Sequence, residues 1–154
     1  LLEKDELGTA GPLLNFYNKN TEITETILLI NGDVLTDLNF KNVSDFHNKN
    51  KADITVVTSY EDINLKYGEI ILKRNKVVDI IEKPKKKFLI NAGIYLINSK
   101  ILKYLKNKNK YFMDELIKFS ISKKLKVINY THEGYFLDLG TKDNLERAKI
   151  LYSP

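Results

Sequence analysis

The apolar positions of this chain switch repeatedly between a spacing of two residues and one near 3.6, which marks alternating strands and helices. Residues 10–18 predict a short helix. Thr26-Ile27-Leu28-Leu29-Ile30 is too short for three helical turns and apolar throughout, so it predicts a buried, central, parallel strand. Phe40, Val43 and Phe46 fall on one face of a second helix, and residues 54–58 predict another strand. Residues 68–72 and 77–81 flank the polar turn Lys73-Arg74-Asn75-Lys76, which predicts a β-hairpin. Residues 92–97 read as a buried strand. Ser99 is placed to cap the next helix, whose Ile101, Leu102 and Leu105 share a face. Met113, Leu116, Ile117 and Ile121 mark a further helix, followed by strands at 127–130 and 135–139. Asp143 with Glu146 three residues on predicts a capping box for the last helix, with Leu145, Ala148 and Leu151 or Tyr152 turned inward. There is no repeat, low-complexity tract or linker. The expectation is one α/β domain over residues 1–154 with a mixed sheet, because the hairpin interrupts the crossovers.

With 43% hydrophobic and 29% charged residues, the chain is apolar enough for a core. Cysteine is absent, which removes disulfides, thiolate metal sites and a thiol nucleophile, and fits a cytoplasmic protein. No apolar run approaches the length of a membrane span, and Leu1-Leu2-Glu3-Lys4-Asp5-Glu6 lacks the character of a signal peptide. The net charge of +5 rests on lysine far more than arginine, with its densest stretch at Lys83, Lys85, Lys86 and Lys87 around Pro84. Such a cluster suits a phosphate-bearing ligand. No helical arginine face or aromatic ladder extends it into a nucleic acid surface, and Lys85 to Lys87 are expected in a solvated loop.

Candidate chemistry gathers at strand ends. Asn31-Gly32-Asp33 follows the run at 26–30 and puts a carboxylate at the carboxyl end of a strand, where open α/β sheets bind ligands. Gly32 has no Cβ, so a ligand or metal can come close to the backbone there. Asp138, in Phe136-Leu137-Asp138-Leu139-Gly140-Thr141, is a second strand-end acid, for which a cation or a backbone cap would serve as partner. Leu7-Gly8-Thr9-Ala10-Gly11-Pro12 is a small-residue loop at a helix start, able to receive a planar base or a phosphate. Glu82-Lys83-Pro84 closes the hairpin; Pro84 ends the ladder and biases Lys83 towards an extended conformation that aims its side chain. His47, on an amphipathic helix, and His132, in a polar turn, read as structural.

Taken in order, Leu7-Gly8-Thr9-Ala10-Gly11, Asn31-Gly32-Asp33, Tyr67-Gly68, Glu82-Lys83-Pro84, Asn91-Ala92-Gly93-Ile94-Tyr95 and Leu137-Asp138-Leu139-Gly140-Thr141 resemble the sugar-phosphate nucleotidyltransferase family over nearly the whole chain. Within it they are most similar to the branch of mannose-1-phosphate, heptose-1-phosphate and glucosamine-1-phosphate guanylyltransferases. The resemblance implies a Rossmann-like nucleotide-diphospho-sugar transferase fold, a mixed, mostly parallel sheet flanked by helices. It implies transfer of a nucleoside monophosphate from an NTP, GTP favoured, to a sugar 1-phosphate, with release of pyrophosphate. By resemblance Asp33 and Asp138 hold Mg²⁺ and, with Lys83, form the catalytic set. Lys83 binds the sugar phosphate, Glu82 a sugar hydroxyl, and Gly68, Asn91 and Gly93 shape the sugar pocket. Gly8, Thr9, Ala10, Gly11, Asn31 and Gly32 lie against the nucleotide.

One family feature has no counterpart here. The glycine-rich loop with an arginine and a downstream lysine, which grips the β- and γ-phosphates, is absent from the scattered seven glycines. The chain therefore reads as the N-terminally truncated, C-terminal two-thirds of a catalytic domain. Alone it is expected to be inactive and to leave an apolar sheet edge for a homo-oligomer or a covering N-terminal segment. The alternative is a non-catalytic nucleotide-sugar-binding remnant or regulatory relative. A metal-dependent glycosyltransferase fits less well, because Asp33-Val34-Leu35 stands where Asp-x-Asp is expected.

Overall fold

Two long strands run through the core, and their alternation decides which face each side chain joins. The structure, a computed structural model, describes residues 7–19, 23–105 and 110–151. In it β3 (Ile54–Asn64) and β6 (Lys85–Asn98) pair antiparallel, with Ile54 opposite Ile97. β1 (Thr26–Ile30) lies antiparallel on the far side of β6, and β7 (Val127–Thr131) runs parallel to β3, giving the order β1-β6-β3-β7. β6 thus opposes the other three. Ile54, Tyr95 and Ile97 pack on one face with Leu13 of α1 (Gly11–Lys19), Leu102 of a 3₁₀ turn (Ser99–Tyr104) and Leu116 of α3 (Met113–Ser122). Val57, Ile94 and Leu96 pack on the other with Val43 of α2 (Phe40–Lys49). Both faces of the central strands β3 and β6 are covered at Ile54 to Val57 and Ile94 to Ile97, as an α/β layered fold requires. A hairpin of β4 (Glu69–Lys73) and β5 (Lys76–Ile81) stands beside the main sheet. The short strands β2 (Val34–Thr36) and β8 (Phe136–Asp138) pair with each other, and α4 (Lys142–Leu151) follows β8.

Several expectations need correcting. β1 is an edge strand, not a central one, and its one ladder among the described residues is antiparallel. Its Leu28 and Ile30 remain 44% and 39% exposed on the α2 side of the sheet, because no described element reaches over them. Lys85 to Lys87 belong to β6 rather than a loop: Lys85 pairs with Asp62 at 2.9 Å, Lys86 with Glu69, and Lys87 stacks over the Tyr60 ring. Lys83 is not extended; its φ of +43° is left-handed. Asn98, not Ser99, caps the 3₁₀ turn, its side chain accepting from Lys100 N–H. Thr141, not Asp143, caps α4, its hydroxyl accepting from Asn144 N–H. Ile121 and Leu145 face solvent, and Phe40 is half-exposed. Residues 1–6 and Tyr152 lie outside the described residues, as does the side chain of Leu151.

Candidate functional site

The chain leaves β1 at Ile30, turns through Asn31 and Gly32, and immediately re-enters extended structure as β2. Because β2 pairs with β8 in a register that sets Val34 opposite Asp138, the residue before β2 meets the last residue of β8. Leu139 N–H donates to Asp33 C=O at 2.8 Å and closes the junction. Asp33 and Asp138, remote in sequence, consequently flank Gly140. The position of an added Cβ at Gly140 lies 2.9 Å from Asp138 Oδ1 and 3.8 Å from Asp33 Oδ2. Both carboxylates are open to solvent. Asp138 Oδ1 accepts from Gly140 N–H at 2.7 Å, so the turn fixes one carboxylate oxygen and leaves the other free. An added Cβ on Gly32 would meet open space, so the approach beside Asp33 is clear.

These two acids border a cleft of about 770 Å³ between the outer half of β3, β8 and the start of α4. Tyr60, Glu61, Thr141, Asn144 and Arg147 also line it. Two hard oxygen donors side by side suit Mg²⁺, which keeps several waters and takes its remaining ligands from substrate phosphate. Among the described residues no three acidic or histidine side chains form a closed metal cage.

The other residues singled out by the sequence fall in three further places. Asn31 N–H donates to Gly93 C=O at 2.9 Å, and an added Cβ on Gly93 (φ +68°) would stand 2.6 Å from the Asn31 amide. Only glycine fits there. Gly93 sits in a bulge of β6, where the register against β3 shifts between Val57, opposite Ile94, and Thr58, opposite Asn91; Asn91 is committed to it, its Oδ1 accepting from Gly93 N–H and its Nδ2 donating to the buried Tyr95 hydroxyl at 2.6 Å. A chain of contacts therefore runs from Tyr95 through Asn91 and Gly93 to the loop carrying Asp33. Gly68 and Glu82 meet at the base of the hairpin, with Glu82 Oε2 3.0 Å from the Cβ position of Gly68. Lys83 is next to them; none of the three lines the cleft.

Gly8 to Gly11 pack against the start of α3. Ala10 N–H donates to Tyr111 C=O, Thr9 Oγ1 accepts from Met113 N–H, and an added Cβ on Gly8 (φ +80°) would sit 2.7 Å from Tyr111 O. The small residues of this loop are already required by packing; Ala10 and Gly11 are buried and Thr9 is exposed.

Both histidines have structural partners. His132 Nε2 lies 2.8 Å from Asp37 Oδ1, and His47 Nδ1 lies 2.8 Å from Thr55 Oγ1. Sequence reasoning missed Asn144 and Arg147. Their signal was present: polar residues at 141, 144 and 147 share one face of a helix that follows a strand-end acid.

With this geometry in view, the whole chain can be placed. Residues 1–153 match the Nucleotidyl transferase family, and the chain belongs to it. It is 29% identical to the mannose-1-phosphate guanyltransferase of Debaryomyces hansenii, covering 98% of this chain and 43% of that protein. Identity to the mannose-1-phosphate guanyltransferase of Saccharomyces cerevisiae is also 29%, over the same shares. The chain thus spans less than half the length of these relatives. Its fold matches the crystal structure of HddC from Yersinia pseudotuberculosis with a TM-score of 0.70 at 24% identity, covering 99% of this chain and 65% of that one. A second HddC structure, complexed with GMP-PN, matches equally well.

Proposed function

We propose that this chain forms the acceptor and metal side of a cytoplasmic sugar-1-phosphate nucleotidyltransferase, which transfers a nucleoside monophosphate from an NTP to a sugar 1-phosphate. The observation that carries the reading is the convergence of Asp33 and Asp138 on one open cleft through the β2–β8 pairing. GTP is the favoured donor, a preference supported by the names of the guanyltransferase relatives and by the GMP-PN bound to HddC.

The reaction asks little covalent chemistry of the protein. The sugar phosphate already carries an anionic oxygen near neutral pH; it attacks the α-phosphorus in line, the new P–O bond forms, and the bond to pyrophosphate breaks. The enzyme must position two polyanions and offset their repulsion. Asp33 and Asp138 would hold Mg²⁺, which when bound supplies positive charge to the phosphoryl oxygens. In this reading Lys83 binds the sugar phosphate and Glu82, in contact with Gly68, a sugar hydroxyl, while Asn91 and Gly93 shape the sugar pocket.

Calorimetric titration of the 154-residue chain with GDP-mannose and with GTP, each with MgCl₂, tests the reading. Mg²⁺-dependent binding of GDP-mannose is expected, and binding of neither ligand overturns it. Turnover by the complete protein with each NTP in parallel then decides the base.

A further inference from the structure

Five charged residues line the cleft, and four of them are acidic: Asp33, Glu61, Asp62 and Asp138. The fifth is Arg147. Asp62 is already paired with Lys85 at 2.9 Å; a polyanion entering the cleft still meets Asp33, Glu61 and Asp138, so the one guanidinium in the lining has a disproportionate electrostatic effect. We propose that Arg147 binds the phosphoryl oxygens of a nucleotide-sugar diphosphate, in the cleft that the Asp33 and Asp138 pair borders. This deepens the nucleotidyltransferase reading and rests on it.

Three observations carry the assignment. First, Arg147 reaches along α4 towards another residue that lines the cleft. Asp143 lies one turn earlier at i−4, the ordinary position for a surface ion pair, yet Arg147 Nη1 turns to Asn144 Oδ1 at 3.4 Å, on the cleft side. Second, Arg147 stands on a fixed platform. Asn144 N–H is held by Thr141 Oγ1, and Asn144 Nδ2 donates to Asp138 C=O at 2.6 Å, so the first turn of α4 is tied to the residue bearing one of the two acids. Third, its long contact to Asn144 uses one of five N–H donors, and no carboxylate neutralises it among the described residues. A planar fork of free donors matches two oxygens of one phosphate. Lys83, which the sequence put forward for a phosphate, does not line this cleft.

The test uses the 154-residue chain and the variants Arg147→Ala and Arg147→Lys, titrated with GDP-mannose, GMP, mannose 1-phosphate and the uncharged nucleoside guanosine in MgCl₂. Arg147→Ala is expected to weaken GDP-mannose about 10- to 100-fold, as loss of a charge-assisted contact does, and to flatten its salt dependence. Arg147→Lys should recover part of the affinity, and guanosine binding and the melting temperature should not move. GMP and mannose 1-phosphate tell which phosphate the guanidinium holds, because only that ligand should weaken. Unchanged GDP-mannose affinity in Arg147→Ala overturns the proposal while leaving the nucleotidyltransferase reading intact; equal weakening of guanosine also overturns it, as the sign of a structural role. Absence of GDP-mannose binding by the unsubstituted chain overturns this proposal, and only absence of GTP binding as well overturns the nucleotidyltransferase reading.

Discussion

Asp33 and Asp138 are both exposed, so their substitution separates chemistry from folding. Asp33→Asn and Asp138→Asn should each abolish Mg²⁺-dependent binding of GDP-mannose while shifting the melting temperature by no more than a degree or two. A large loss of stability with retained binding would overturn the assignment. His47 behaves in the opposite way, as a purely structural group. Burial lowers its pKa; Asp53 pulls upward without prevailing, and Lys100 adds to the lowering. The unfolded chain therefore takes up a proton near the ordinary value of 6.5 that the folded chain refuses. Stability is full above that pH and falls as the pH drops through it, by at most about 1.4 kcal/mol per pH unit until the folded group also titrates. Urea unfolding at pH 7.5 and 5.5 should show this loss in the native protein and a smaller one in His47→Gln. Gly93→Ala should cost about 1–3 kcal/mol, because the left-handed backbone and the Asn31 amide both resist a Cβ.

At the scale of elements, β1 and the bulge in β6 show where sequence patterns stop. The apolar run of β1 has the pattern of a strand buried on both faces, and its limits were readable at Thr26 and Ile30. Its neighbours were not, since strand order depends on long-range pairing that periodicity does not encode. The outer edge of β1 is unpaired among the described residues, and Leu28 and Ile30 lie open beside it. Such an edge invites another strand. Sedimentation of the 154-residue chain should show self-association that Leu28→Lys reduces. A monomer at all concentrations would count against it. The ends of β2 and β8 were legible through their acids and glycines, whereas β2 itself is a three-residue strand too short to carry a period. Lys83 escaped for another reason: the preference of a residue before proline is statistical, and the connection from hairpin to β6 overrides it.

At the scale of the molecule, the 154 residues hold one side of the proposed site and no glycine-rich phosphate loop. Removing charge-stabilising contacts from a transferring phosphoryl group costs several kcal/mol, or about thousands-fold in rate. The chain alone should therefore release pyrophosphate from GTP and mannose 1-phosphate at a rate far below that of its full-length relatives; turnover within tenfold of theirs would overturn this. The pairing of β2 with β8 has one more consequence, which concerns time rather than geometry. It joins a strand in the first quarter of the chain to one near its end. Contacts so distant are closed late, after local helices and hairpins have formed. During synthesis, Asp33 emerges long before its partner exists, and the nascent chain has no paired carboxylates until β8 leaves the ribosome. Recovery of Mg²⁺-dependent ligand binding should accordingly lag behind recovery of helical circular dichroism during refolding, so that the ligand senses only chains that have finished.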